Sequence, residues 1–358
     1  MKILERYILS EFVRLFVLAS LAFVLLFLMV DVFENMNAIM KRGVPAAKVA
    51  AFFLYKVPFI LSQTAPIAVL VSTLISLGQF KRNNEITAMK AGGIRLGRVL
   101  LPLLAAGAVI SIGVLVMNEY VTPSAMRAAD NLKAGWSGAQ GRTLSSTGMW
   151  LRTQEGILNI RQFDMKKNEV HGITLYEIER PFTVKGRINA RSAAWQGNAW
   201  VADKAEQWRF PAKGSAVVKE ALDLPINGIV PPESLAGAEN MHKNMSFFAL
   251  KRYVDGLVAD GYNATRYKME LYAKASFPLV NFIMALIGIS FALLRTGRTA
   301  GYAVGIGMSM VIAFGYWVVF AISKSLGVAG VVPPLVAALF PNVLFLAAGA
   351  LLFGYVKE

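Results

Sequence analysis

Residues 15–30 read Leu-Phe-Val-Leu-Ala-Ser-Leu-Ala-Phe-Val-Leu-Leu-Phe-Leu-Met-Val, with no charge and a single hydroxyl. With their neighbours they form a predominantly apolar stretch over 12–36, beyond the roughly 20 residues that a helix needs to cross a hydrocarbon core. Lys2, Arg6 and Arg14 give it a basic start, as in a secretory signal, but no A-x-A cleavage site follows; Asp31, Glu34 and Asn35 do. The stretch therefore reads as a retained membrane span. Upstream, Ile3, Leu4, Tyr7 and Ile8 share one helical face with Lys2, Glu5 and Arg6 opposite. Residues 1–11 are thus either an interfacial helix or the start of span one, and both readings stand.

Outward from this run the same pattern recurs. Spans are expected at 49–80, with Pro58 and Pro66 inside as kink points, and at 99–120, 276–294, 302–322 and 334–355. The chain is 56% hydrophobic against the 45–50% usual in soluble proteins, and the excess lies in these blocks, so the solvent is lipid. Between the third and fourth spans the character changes. Leu158, Ile160 and Phe163 are separated by polar residues, 173–178 is apolar-rich, and Gln196-Gly197-Asn198 is a hairpin signal between two short apolar segments. Trp195, Trp200, Trp208 and Phe210 supply core or lining. The expected fold is a six-span α-helical membrane protein with an inserted β domain, a sandwich or partly open roll. The expected division is 1–125 (spans one to three), 126–244 (β domain) and 245–358. The last part opens with a connector helix, broken at Gly256 and Gly261, before spans four to six.

Charge sets the orientation. Lys81, Arg82, Lys90, Arg95 and Arg98 lie between spans two and three, Arg295 and Arg298 between spans four and five, and Lys2 and Arg6 before span one. With six spans these fall on one side, the cytoplasm by the positive-inside rule, with both termini. The β domain then lies outside; Lys41, Arg42 and Lys48 are an exception there that needs a reason. The net charge of +15 points to anionic head groups rather than nucleic acid, because no basic segment is interleaved with exposed aromatics.

Absences narrow the chemistry. Without cysteine there is no disulfide and no thiolate site, and with only His171 and His242 a histidine metal centre or catalytic triad is not expected. The sequence has no P-loop. The expectation is a chain with no catalytic residue, metal or cofactor of its own.

The sharpest local signal is 83–93, Asn-Asn-Glu-Ile-Thr-Ala-Met-Lys-Ala-Gly-Gly. Asn84 suits an N-cap, Glu85 the positive helix end, Lys90 the other end and Gly92 the C′ position. A short cytoplasmic helix over 84–91 would present Glu85 beside Ile86 and Met89 for docking in a partner's groove. The plain alternative is an ordinary capped loop helix. Lys41, Arg42, Arg127 and Lys133 flank spans on the outer side, where they would meet lipid phosphates or remain solvated. Asp31 and Glu34, near the outer end of span one, are functional candidates or interfacial charges. Gly301 and Gly305 form a G-x-x-x-G suited to helix packing.

Three spans, an external β domain and three more spans resemble the lipopolysaccharide-export permeases, the LptF/LptG family, over essentially the whole chain. Residues 85–93 are similar to the family's coupling-helix stretch, and 74–78 lead into it as in the family. Residues 118–123, Asn-Glu-Tyr-Val-Thr-Pro, resemble the family's exit from span three. Val331-Val332-Pro333-Pro334 with Leu339-Phe340-Pro341 looks like the G-type branch. The resemblance implies a permease that pairs with an F-type second subunit. It also implies binding of a cytoplasmic ABC ATPase dimer (LptB-like), with ATP and Mg at that partner. Lipopolysaccharide would leave the inner membrane of a Gram-negative cell for a single-span periplasmic jelly-roll protein (LptC-like) and a periplasmic bridge (LptA-like). Glu85 would then contact the ATPase. Lys41, Arg42, Arg127 and Lys133 fall where members carry basic residues. G-type members can carry a lysine late in span one where this chain has Asp31. Two other classes remain, a secondary transporter and an envelope assembly platform, each without an ATPase.

Overall fold

The computed structural model describes residues 2–41, 44–137, 142–145, 148–152, 156–164, 168–179, 183–197, 199–210, 217–226, 244–259, 261, 263–294 and 302–355. The chain divides into two units, one of Met1–Asp130 with Thr265–Glu358, the other of Asn131–Ala264.

The first unit is helical. It contains α1 (Lys2–Lys41), α2 (Ala46–Arg82), α3 (Glu85–Ala91), α4 (Leu96–Val116) and the start of α5 (Thr122–Ser137). After the second unit come α7 (Thr265–Ser276), α8 (Leu279–Leu294), α9 (Tyr302–Val328) and α10 (Pro334–Gly354). Among the described residues five helices are long and apolar enough to cross a membrane, and the pair α7–α8, bent by 50°, makes a sixth span. The bend sits at Pro278, which has no N–H to give the preceding turn and crowds its carbonyls. Helix α1 is continuous from Lys2, and Ile8 and Phe12 near its start are fully buried in the unit's core. Residues 2–11 are therefore the packed beginning of span one rather than a separate interfacial helix.

Helix α2 runs unbroken through Pro58 and Pro66 and is the most buried of the five spans. It packs against α1, α4, α8 and α9. Its buried Ser72 and Thr73 hydroxyls donate to the helix's own Ala68 and Val69 carbonyls, both at 2.7 Å. Those polar groups are satisfied without widening the helix, so partners approach closely. A Cβ at Gly288 of α8 would lie 2.9 Å from Thr73 Cβ, and one at Gly107 of α4 would lie 2.8 Å from Ala285 Cβ. The outer faces are apolar as well: Leu18, Leu21 and Leu25 of α1 and Val311, Phe314 and Ile322 of α9 are exposed. Such faces suit lipid and would be unstable in water.

Between α4 and α5 the helix widens into a π-helical turn, Met117–Val121, closed by Thr122 N–H donating to the Met117 carbonyl. Pro123 supplies the reason: it lacks an N–H for the regular ladder, and the wider turn carries the chain past it.

The second unit holds one antiparallel sheet of seven strands: β1 (Arg142–Ser145), β2 (Gly148–Arg152), β3 (Gly156–Asp164), β4 (Glu169–Glu179), β5 (Thr183–Trp195), β6 (Trp200–Arg209) and β7 (Val217–Ile226). Spatial order equals sequence order, a meander. The expected hairpin joins β5 to β6. Gln196 N–H donates to the Ala199 carbonyl at 2.9 Å, Gly197 takes φ +72°, and Trp195 pairs with Trp200. One face buries Leu158, Ile160, Phe163, Ile173, Leu175 and Trp200. Phe163 and Trp200 lie three strands apart, about 14 Å in a flat sheet, yet their ring centroids are 6.2 Å apart. The sheet curls around this face, as a partly open roll does.

The unit ends with α6 (Phe247–Ala259), whose Tyr253 hydroxyl bonds the Arg161 carbonyl of β3. The unit boundary thus follows α6, at Ala264, whereas the sequence division sets it at 244/245.

Candidate coupling helix and membrane charges

Helix α3 is one short segment between α2 and α4, fixed at both ends. At its C-terminus Gly93 N–H donates to Lys90 O at 3.0 Å and Ile94 N–H to Met89 O at 2.9 Å, the paired bonds of a Schellman cap. The left-handed residue is Gly93, φ +76°, and not Gly92 as expected; Gly92 stays right-handed at φ −79°. At the N-terminus Asn84 is itself left-handed, φ 58°, and its side chain makes no capping bond. The expected N-cap is absent because that backbone turns the side chain away from the first free N–H groups.

Glu85 takes over the anchoring. The Tyr7 hydroxyl donates to one carboxylate oxygen at 3.1 Å and the Asn83 amide to the other at 3.2 Å. Tyr7 also packs its ring on Phe80 of α2, centroids 5.5 Å apart. Ile86, expected on a docking face, is buried in the helical unit's own core, and Met89 packs partly against it. A seven-residue helix has one apolar side, and here the chain uses it to hold α3 down. The faces left outward are Thr87, Ala88 and Lys90.

The expected lipid cations are less gathered. Arg127 and Lys133 are both exposed on α5, six residues apart, and so project about 120° from each other around the helix. Lys41 ends α1, and Arg42 lies outside the described residues. The expected G-x-x-x-G is half visible: Gly301 lies outside the described residues, and Gly305 makes only ordinary contact with Ile75 of α2. Tight crossings instead use Gly107, Gly288 and Gly327, which no G-x-x-x-G marks.

Asp31 pairs with Lys56 of α2, and the Asn35 amide donates to the same carboxylate at 3.1 Å. Lys56 also lies over the Phe52 ring, 5.2 Å from its centroid. Both charges are largely buried, so neither behaves as a simple interfacial group. At the bend between α7 and α8, Asn342 Nδ2 donates to the Ser276 carbonyl at 2.7 Å, and Asn342 Oδ1 accepts from the Tyr316 hydroxyl at 2.9 Å. The carbonyl at the break is thus satisfied by Asn342 of α10, whose amide is held in turn by Tyr316 of α9. Nearby on α7, the buried Glu270 meets Lys324 of α9 at 3.5 Å.

The sequence matches the family described as lipopolysaccharide export system permease LptF/LptG over residues 6–355. The chain belongs to the LptF/LptG family. It is 22% identical to the lipopolysaccharide export system permease protein LptG of Escherichia coli strain K12, over 96% of this chain and 95% of that protein. It is 21% identical to the LptG protein of Haemophilus influenzae, over 78% of each. Both relatives are LptG proteins, consistent with the G-type lean of the Pro333-Pro334 and Leu339-Phe340-Pro341 segments.

In this LptF/LptG member the sequence reading missed three participants. Lys56 had a signal: it is the lone cation inside span two, opposite the acid Asp31 in span one. Each lies ten residues from the helix end nearest the α1–α2 turn, hence at equal depth. Tyr7 had none, since nothing in sequence links it to Glu85, 78 positions away. Asn342 gave a weak signal as a polar residue within an apolar span.

Proposed function

We propose that this chain is the permease subunit of an ATP-driven exporter that extracts lipopolysaccharide from the inner membrane of a Gram-negative cell. Helix α3 is its dock for a cytoplasmic ABC ATPase dimer, which handles the ATP and Mg. The observation that carries this reading is the anchoring of α3: a capped helix whose acid, Glu85, is tied to α1 through Tyr7 and whose apolar side is sunk into the core. A push on such a helix reaches α1 and α2 without being lost in a loose loop. The basic residues around it, Lys81, Arg82, Lys90, Arg95 and Arg98, support a cytoplasmic side, with both termini there and the β unit in the periplasm.

ATP binding closes the ATPase dimer, which binds one permease state more tightly than the other and shifts the population between them. A cavity shared with a second, F-type permease subunit narrows and moves the lipid outward. Arg127, Lys133, Lys41 and Arg42 serve its phosphates, with Arg127 and Lys133 acting on separate sides of α5. The apolar inner face of the sheet receives acyl chains. The sheet's terminal strands, β1 and β7, offer edges for β-augmentation by the next jelly roll, LptC-like and then LptA-like.

The test is Glu85→Arg in the purified complex. We expect loss of ATPase association with the permease pair still intact; normal assembly and transport would remove α3 from the coupling path. Reversing Arg127 and Lys133 should weaken lipid-stimulated ATP hydrolysis, and an unchanged response would remove them from the lipid site.

A further inference from the structure

The sheet's second face, opposite its apolar core, carries a pattern that acyl-chain handling does not use. Strand pairing places Trp150, Asn159, Thr174, Asn189 and Glu206 in one cross-strand rank on this face. Two positions along, Ile157, Tyr176, Arg187 and Trp208 form the next. Trp150 and Tyr176 are stacked, centroids 6.3 Å apart and 16° from parallel. Arg187 lies 5.7 Å from the Tyr176 centroid, and its Nε donates to Asn189 Oδ1 at 2.8 Å. Trp150, Tyr176 and Arg187 thus form a half-buried stack across this face.

Two donors on the same face are unanswered. Among the described residues the buried Asn159 Nδ2 and Trp208 Nε1 have no hydrogen-bond partner, and Asn159 as a whole is only 5% exposed. A buried donor without an acceptor carries its full desolvation penalty, and native structures rarely keep one without a use. Asn159 on β3 and Trp208 on β6 are separated by three strand spacings, about 14 Å.

We propose that this face is a saccharide platform for an uncharged oligosaccharide. A sugar ring presents an apolar C–H face that suits an indole ring such as Trp150 at the end of this stack, and a rim of hydroxyl oxygens that accept from N–H donors. The separation of the two donors calls for an oligomer rather than one ring. Glu206, exposed in the first rank and paired with Glu220 of β7, accepts from a hydroxyl and repels phosphate or carboxylate. An acyl chain would leave both donors unanswered and has the opposite face for its chemistry. Both donors are closed off in this structure, so binding requires neighbouring side chains to move to other rotamers. The inference is independent of the ATPase reading.

The test uses the full chain in a detergent without sugar head groups, titrated with maltotriose and with chitotriose. Saturation-transfer NMR and calorimetry read the binding. We expect saturable binding of at least one oligosaccharide. Trp150→Ala, which removes the stacking ring, and Trp208→Phe, which removes the N–H with the rest of the indole's second ring, should each weaken it about tenfold. Gln207→Ala, on the opposite face, should leave it unchanged. Asn159→Leu separates function from folding: it removes an orphan donor, so thermal stability should hold or rise while binding falls. The proposal is overturned if neither oligosaccharide binds saturably, or if binding survives Trp150→Ala and Trp208→Phe. It is also overturned if inorganic phosphate or laurate occupies this face in preference.

Discussion

Removing Asp31 alone should cost more than removing both members of the Asp31–Lys56 pair. The two side chains sit ten residues, about 15 Å of helix rise, from the α1–α2 turn. Asp31→Asn leaves the Lys56 ammonium unpaired in the helical unit. A lone lysine at the centre of a span costs about 2.5–3.5 kcal/mol. The side chains keep 19% and 16% of their exposure, and the Phe52 ring still faces the ammonium. Both soften the penalty, to about 2 kcal/mol. Lys56→Met should cost less, about 1 kcal/mol, because Asn35 still donates to the carboxylate. The double variant Asp31→Asn/Lys56→Met has no orphan charge and should fall within about 1 kcal/mol of the parent, giving a coupling of about 2 kcal/mol. The assay is unfolding in mixed micelles by added SDS, followed by circular dichroism, for the four members of the cycle. Additive losses, with coupling below about 0.5 kcal/mol, would refute the claim that the pair holds α1 to α2.

Other perturbations follow from the same contacts. Tyr7→Phe keeps the ring on Phe80 and removes the donor to Glu85; lipid released per ATP hydrolysed should fall while the ATPase stays bound, as a reconstituted transport assay would record. Asn342→Leu strips the Ser276 carbonyl and the Tyr316 hydroxyl of their partner, for a loss of about 1–3 kcal/mol in the same SDS titration. Gly288→Leu forces a side chain into Thr73 and should lower stability by about 1–3 kcal/mol or more, whereas Gly315→Ala, where a Cβ meets nothing within 4 Å, should be close to neutral.

The spans, the inserted sheet and the β5–β6 hairpin were legible because each is written in a local pattern: run length, alternation, a turn tripeptide. The span-four break was half legible, since Pro278 is in plain sight but the tilt it causes is not. Caps were read one residue out at Gly92, because both glycines permit the turn and only the backbone bonds choose Gly93. The direction of Ile86 was not legible: an apolar residue on a short helix suits a partner or the chain's own core equally well, and tertiary packing decides. Pairings across long separations, Tyr7 with Glu85 and Asn342 with Ser276, leave no local trace at all.

The meander order of the sheet bears on how the chain is made. Each strand finds its partner immediately before or after it, so the sheet is rich in sequence-local contacts, which form early and fast. The helical unit is the reverse. Helix α2 is covered by α8 and α9, which are synthesised only after the whole sheet has been made. During that interval the buried hydroxyl-bearing face of α2 has no α8 to meet, and its internal Ser72 and Thr73 bonds make the wait tolerable in lipid. The Asp31–Lys56 pair, formed between α1 and α2 before α8 and α9 are made, neutralises its own two charges in that half-built bundle until the rest of it arrives.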